Sequence, residues 1–177
     1  MTTNRRPMLA LAASLALLSG CSSFGPVTSG TDDPCATLQS VVADYTTGFD
    51  AYRGNGSSYA MVTLYRAKEQ LIKGHCEIWE WGNGDAAYTC TVGAPNQEVA
   101  TAMYQQANNQ LSACLGENWQ GTEAGRERDG RPAGEVTRYQ NSGKAGPAVS
   151  LHRVQDRSQH SVYLYIGTPG RSPEPAN

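Results

Sequence analysis

Two helices packed on an antiparallel sheet, an α+β fold, is what three features of this sequence predict. Two stretches, Leu38–Tyr52 and Val99–Leu115, set apolar residues three and four apart, the spacing of one helical face. Several short runs of β-branched and aromatic residues lie between clusters of turn-forming residues. Gly82-Asn83-Gly84 divides two of those runs and reads as a hairpin loop. The order is helix, three strands, helix, then three or four strands. A faint echo, Tyr88-Thr89-Cys90-Thr91-Val92-Gly93 against Tyr163-Leu164-Tyr165-Ile166-Gly167, suggests a duplicated helix-plus-three-strand unit.

The chain starts with a leader. Arg5 and Arg6 precede an apolar run from Met8 to Leu18, closed by Leu18-Ser19-Gly20-Cys21. That run is too short to cross roughly 30 Å of hydrocarbon as a permanent helix, and its flanks are those of an export signal. Arg5-Arg6 follows Asn4, where a twin-arginine signal would carry Ser or Thr. Leu-Ser-Gly-Cys resembles the lipobox of bacterial lipoproteins. The resemblance implies removal of residues 1–20, a diacylglycerol on the Cys21 thiol and acylation of the new amino terminus. Two or three acyl chains, at about 0.8 kcal/mol per buried CH₂, hold a protein stably. Ser22 in place of Asp implies, by the same family's sorting rule, the outer membrane of a two-membraned cell, facing the periplasm.

Residues 21–33 are rich in Gly, Ser and Thr and read as a flexible tether. Asp33-Pro34 then caps a first helix carrying Leu38, Val41, Val42, Tyr45, Phe49 and Tyr52, which Gly54-Asn55-Gly56 stops. Ser58–Arg66 reads as one strand, with Ala60, Val62 and Leu64 on one side and Tyr59, Met61, Thr63 and Tyr65 on the other. Residues 68–73 are a loop or a short helical turn. Cys76–Trp81 and Ala86–Val92 form the hairpin, in which Trp81 faces Asp85 and Cys76 faces Cys90. Asn96 caps the second helix, whose stripe is Val99, Ala102, Met103, Ala107, Leu111, Cys114 and Leu115, and Gly116 ends it. Trp119 begins a short strand. Gly121–Gly134, almost without apolar residues, reads as a mobile loop. Strands follow at 135–140, 148–154 and 161–166. Residues 34–167 make a single domain, and 168–177 a Pro-rich disordered tail.

With Cys21 assigned to lipid, Cys35, Cys76, Cys90 and Cys114 remain, an even number that reads as two disulfides in an exported chain. The hairpin register favours Cys76–Cys90, and antiparallel helices favour Cys35–Cys114. The alternative is Cys35–Cys76 with Cys90–Cys114. No two cysteines have the close spacing of a zinc site.

The formal net charge is −2, and losing Arg5 and Arg6 makes the mature part −4. Nucleic acid is a poor partner for such a chain. No cofactor or metal site is expected. His152 and His160 would face each other across a three-residue loop centred on Asp156, with no third ligand near. Glu77 and Glu80, three apart on a strand, point to opposite sides and read as solvated charges rather than an acid pair. Trp79 and Trp81 share one strand face opposite small or polar residues. They form either a contact surface or a layer under a helix. Arg126, Arg128 and Arg131 punctuate the long loop and are further candidates for partner binding. Nothing marks an enzyme. The expectation is a non-enzymatic binding or scaffold domain, held to the membrane by lipid and meeting an envelope protein. The alternative is an inhibitor or immunity-type lipoprotein that blocks a hydrolase or toxin. An envelope-modifying enzyme ranks third.

Overall fold

A computed structural model describes residues 30–143 and 145–170. The leader, Cys21, most of the tether and the tail from residue 171 lie outside the described residues.

All eight strands belong to one antiparallel sheet, in the order β1-β2-β3-β4-β8-β7-β6-β5. The elements are α1 (Pro34–Ala43), β1 (Arg53–Ser58), β2 (Val62–Ala67), β3 (His75–Trp81), β4 (Ala86–Ala94), α2 (Gln97–Leu115), β5 (Trp119–Arg128), β6 (Arg131–Asn141), β7 (Ala148–Asp156) and β8 (Gln159–Gly167). Each helix is thus followed by four strands. The last strand of each set, β4 and β8, meet at the centre of the sheet, and the first of each, β1 and β5, are its edges. The α+β expectation holds, with more strand than the sequence suggested.

Both helices start on a side-chain cap. Asp33 accepts from the Ala36 N–H at 3.0 Å, and Asn96 accepts from the Val99 N–H at 2.9 Å. The helices pack together on one face of the sheet. There Leu38, Val41, Tyr104, Ala107 and Leu111 meet Cys76, Ile78, Tyr88, Cys90, Leu151, Leu164 and Ile166 in a single buried cluster. Both favoured disulfides are present, Cys35–Cys114 joining the two helices and Cys76–Cys90 joining β3 to β4. The hairpin register is as expected: Cys76 opposes Cys90, and the Trp81 N–H donates to the Asp85 carbonyl at 2.8 Å.

Four expectations are corrected. The first helix ends at Ala43. The rest of its stripe lies on two short 3₁₀ turns, Asp44–Thr47 and Asp50–Tyr52, around Gly48 at φ +72°. The left-handed Gly48 breaks the helix, while Phe49 still reaches the core. Second, Gly54-Asn55-Gly56 is not a helix stop but part of edge strand β1, so the single strand at 58–66 is a hairpin turning at Ala60-Met61. That puts Tyr59 opposite Val62 and on its face.

Third, Gly121–Gly134 is not a loop. It is most of the β5–β6 hairpin, turning at Asp129 (φ +52°) and Gly130 (φ +70°), the positive-φ pair of a tight two-residue turn. Gly134, at φ +122°, lies where β6 presses on β7: a Cβ there would stand 1.8 Å from the Arg153 carbonyl oxygen. Fourth, the stripe on α2 is rotated. Ala100 and Tyr104 are buried while Val99 is exposed, and the Tyr104 hydroxyl is bonded to that of Thr137 at 2.6 Å.

Candidate functional site

The candidate residues fall into two regions of the sheet. Alternation along β3 sends Cys76 and Ile78 toward the helices and Trp79 and Trp81 to the other face, which no helix among the described residues covers. The two rings are half-buried and meet edge to face, 6.2 Å between centroids. The Trp79 Nε1–H donates to Glu77 at 3.0 Å, and Glu77 also holds His75 at 2.8 Å. Glu77 is therefore a partly buried acceptor, not a free solvated charge. Glu80, on the helix side, accepts from Arg53 and from the Tyr65 hydroxyl, each at 3.0 Å.

Register adds residues that the sequence did not link to the tryptophans. Trp81 opposes Val62, and Val62 sits across from Tyr59; Trp79 opposes Leu64. With Met61 at the turn, these six residues make one corner of the sheet. Tyr59 is 62% exposed and Met61 79%.

The arginines lie at the far edge. Trp79 and Arg126 stand five strand spacings apart, about 24 Å at 4.8 Å per strand, so the two groups cannot form one site. Here the tips of the β5–β6 and β7–β8 hairpins lie side by side, tied by an Arg128–Asp156 ion pair at 3.2 Å. Between them is a cleft of about 650 Å³ lined by Arg128, Arg131 and Arg157, by Asp129 and Asp156, and by Pro132, Ala133 and Gln155. Arg126 points elsewhere, onto His152 on the helix-free face.

His152 does not face His160. The β7–β8 turn holds two residues, so His152 opposes Tyr163, and Gln155 opposes His160. Nor is His152 an exposed edge residue: β7 is interior and the ring is 1% exposed. Burial lowers its pKa from the ordinary 6.5 to about 3, helped by the Arg126 and Arg138 cations. Its Nε2 is 2.9 Å from the Ser150 hydroxyl, a spacing that suggests nucleophile activation. The tautomer argues otherwise. Arg126 can only donate, so Nδ1 accepts and the ring proton sits on Nε2, donated to Ser150. A base would need a lone pair there. Among the described residues no three His, Cys, Asp or Glu side chains come together as a metal site.

Compared with protein-family models, with curated proteins and with solved structures, the chain matches none.

Proposed function

We propose that this chain is a lipid-anchored cell-envelope lipoprotein whose folded part is a non-enzymatic binding or scaffold domain for an envelope protein. In a two-membraned cell, Cys21 would carry the lipid and Ser22 would direct the protein to the outer membrane, facing the periplasm. The lipobox-like Leu18-Ser19-Gly20-Cys21 supports the anchor.

The observation that carries the binding role is the cleft between the hairpin tips. It is concave and braced on both sides. It sets three guanidinium groups against two carboxylates, a mixed charge pattern suited to choosing a partner and fixing its orientation. The test is capture from envelope extract by the native lipoprotein and by the double variant Arg128→Glu/Arg131→Glu. The reading expects a captured protein that the variant loses. An identical captured set from both would overturn it.

One feature favours the inhibitor reading as second choice. Gly121–Gly134 is a strand-paired hairpin rather than a loop, a shape that can enter a partner's cleft. Loss of a hydrolase specifically from the captured set of the variant would select it.

We also infer that the chain is a duplicated unit, one strand longer than the three the sequence suggested. The repeated order of one helix and four strands supports this, as does the meeting of β4 and β8 at the sheet centre. Residues 34–94 with Cys35→Ala should pair through β4 as a two-fold dimer; a chain that stays unfolded counts against the idea.

A further inference from the structure

We propose that the corner formed by Tyr59, Met61, Val62, Leu64, Trp79 and Trp81 rests in the membrane interface, as a second contact beside the lipid on Cys21. This rests on the anchored reading above.

The chemistry of the corner fits a lipid surface. From Gly54 to Tyr65 there is no charged side chain, twelve consecutive residues in a chain where 30 of 177 are Lys, Arg, Asp or Glu. The adjacent β3–β4 turn, Gly82-Asn83-Gly84, is uncharged as well. Entry of the Tyr59–Met61 turn into the headgroup layer would therefore bury no ion, the expensive part of such a transfer, while Glu77, bonded to the Trp79 Nε1–H, lies further along β3 from that turn. Trp and Tyr carry an apolar ring with one polar atom and gather at the boundary between headgroups and acyl chains. Met61 and Tyr59, the most exposed of the six, stand at a turn and lead the way in.

The tether permits the contact. The described chain starts at Gly30, whose N–H donates to the Gln70 carbonyl at 2.8 Å. Gln70 lies past the end of β2, at the other end of that strand from Met61. Met61 and Gln70 are nine residue steps apart, at most about 30 Å, and the nine steps from Cys21 to Gly30 reach about the same distance. Cys21 and the corner can then lie in one plane, with the sheet leaning on the bilayer. A weak patch suffices under these terms. The lipid has already brought the domain to the surface, and the second contact is made at high effective concentration. The net charge of −4 left after removal of the leader opposes a flat electrostatic approach to an anionic leaflet, so an uncharged corner is the favoured point of contact.

The test uses the native lipidated protein carrying Trp119→Phe, which leaves Trp79 and Trp81 as the fluorophores. It is reconstituted on vesicles whose phosphatidylcholine carries bromine at the headgroup end of the acyl chain. Flotation reports the anchor separately from the docking. The expected result is flotation with about two-fold quenching, as for rings within about 5–10 Å of the acyl boundary, and shielding from iodide. Adding Tyr59→Ser/Met61→Ser, both at exposed positions, should keep flotation and abolish quenching. Flotation with unquenched, iodide-accessible rings would overturn the proposal. So would quenching that ignores the double variant, or unquenched rings shielded from iodide in a chain that cross-links to a dimer, which would assign the corner to a second copy. A chain that does not float overturns the anchor, and this contact with it.

Discussion

The two faces of the sheet are built from the same eight strands and solve burial in different ways. On the helix side, apolar residues alternate inward and two helices cover them, so Ile78, Cys90, Val149 and Ile166 are fully enclosed. Most polar groups there are paired, although Arg153 Nη1 and His160 Nδ1 have no hydrogen-bond partner among the described residues. The Tyr88 hydroxyl donates to the Glu69 carbonyl at 2.7 Å and accepts from the Leu71 N–H at 3.1 Å, clamping the 68–74 segment to the core. On the other face no helix of the described residues arrives, yet Thr89, Ser150, His152 and Tyr165 are still buried. Long side chains laid across the strands, Arg126 among them, do the covering. This face holds the buried His152 ring under the Arg126 guanidinium. The Tyr163 hydroxyl is buried there with no hydrogen-bond partner among the described residues.

The largest effect that can sharpen this contrast is loss of a disulfide, since both lie on the helix side. Replacing Cys35 and Cys114 by Ala opens a separation of 79 residues, against 14 for Cys76 and Cys90. In the chain-entropy account the first change costs about 4–5 kcal/mol and the second about 3 kcal/mol. Urea denaturation of the two double variants checks the order; a reversed order would place the helix pair outside the cooperative core.

Next comes pH, which should act through the other face. Above about pH 6.5 neither state holds a proton on His152, and stability is unaffected. Below it the unfolded chain takes up a proton that the buried ring refuses until about pH 3. Stability should fall through that window by roughly 1.4 kcal/mol per pH unit and level off below it. His152→Gln should remove this slope relative to the native chain. Parallel stability curves from pH 7 to 4 would show that the ring is not held neutral.

The smallest and sharpest comparison is a pair of hydroxyl deletions. Tyr88→Phe strands the Leu71 N–H and should destabilise by about 1–3 kcal/mol. Tyr163→Phe removes a group with no partner and should be neutral within about 0.5 kcal/mol, or stabilising. Equal losses would erase the distinction between the faces.

How much of this was legible in the sequence depended on whether the signal was local. The helix caps at Asp33 and Asn96, the β3–β4 register and the favoured cysteine pairing all rest on residues close together or on ends that short helices bring together. The start of strand β5 at Trp119 was legible, but its continuation past Gly121 was not, because it is an exposed edge with no alternating apolar pattern. Asp129-Gly130, the dipeptide at its turn, is a hairpin signal that the reading of Gly121–Gly134 as a loop did not use. His152 could not be read as buried, because that follows from β7 being an interior strand, a fact of sheet order. The shared face of Trp79 and Trp81 was legible by alternation. Their neighbours Tyr59 and Leu64 were not, since placing the turn at Ala60-Met61 decides which side Tyr59 takes. The stop-like Gly54-Asn55-Gly56 led the other way: in β1 one of these glycines, Gly56, leaves room for the Tyr65 ring.

Everything said about place and partner depends on what the Cys21 sulfur carries. Intact-mass and fragment analysis of the protein purified from its native cells tests this most directly. The account predicts a chain starting at Cys21 with diacylglycerol on the thiol and an acylated amino terminus. A mature chain starting elsewhere, or a Cys21 with a free thiol, would contradict it.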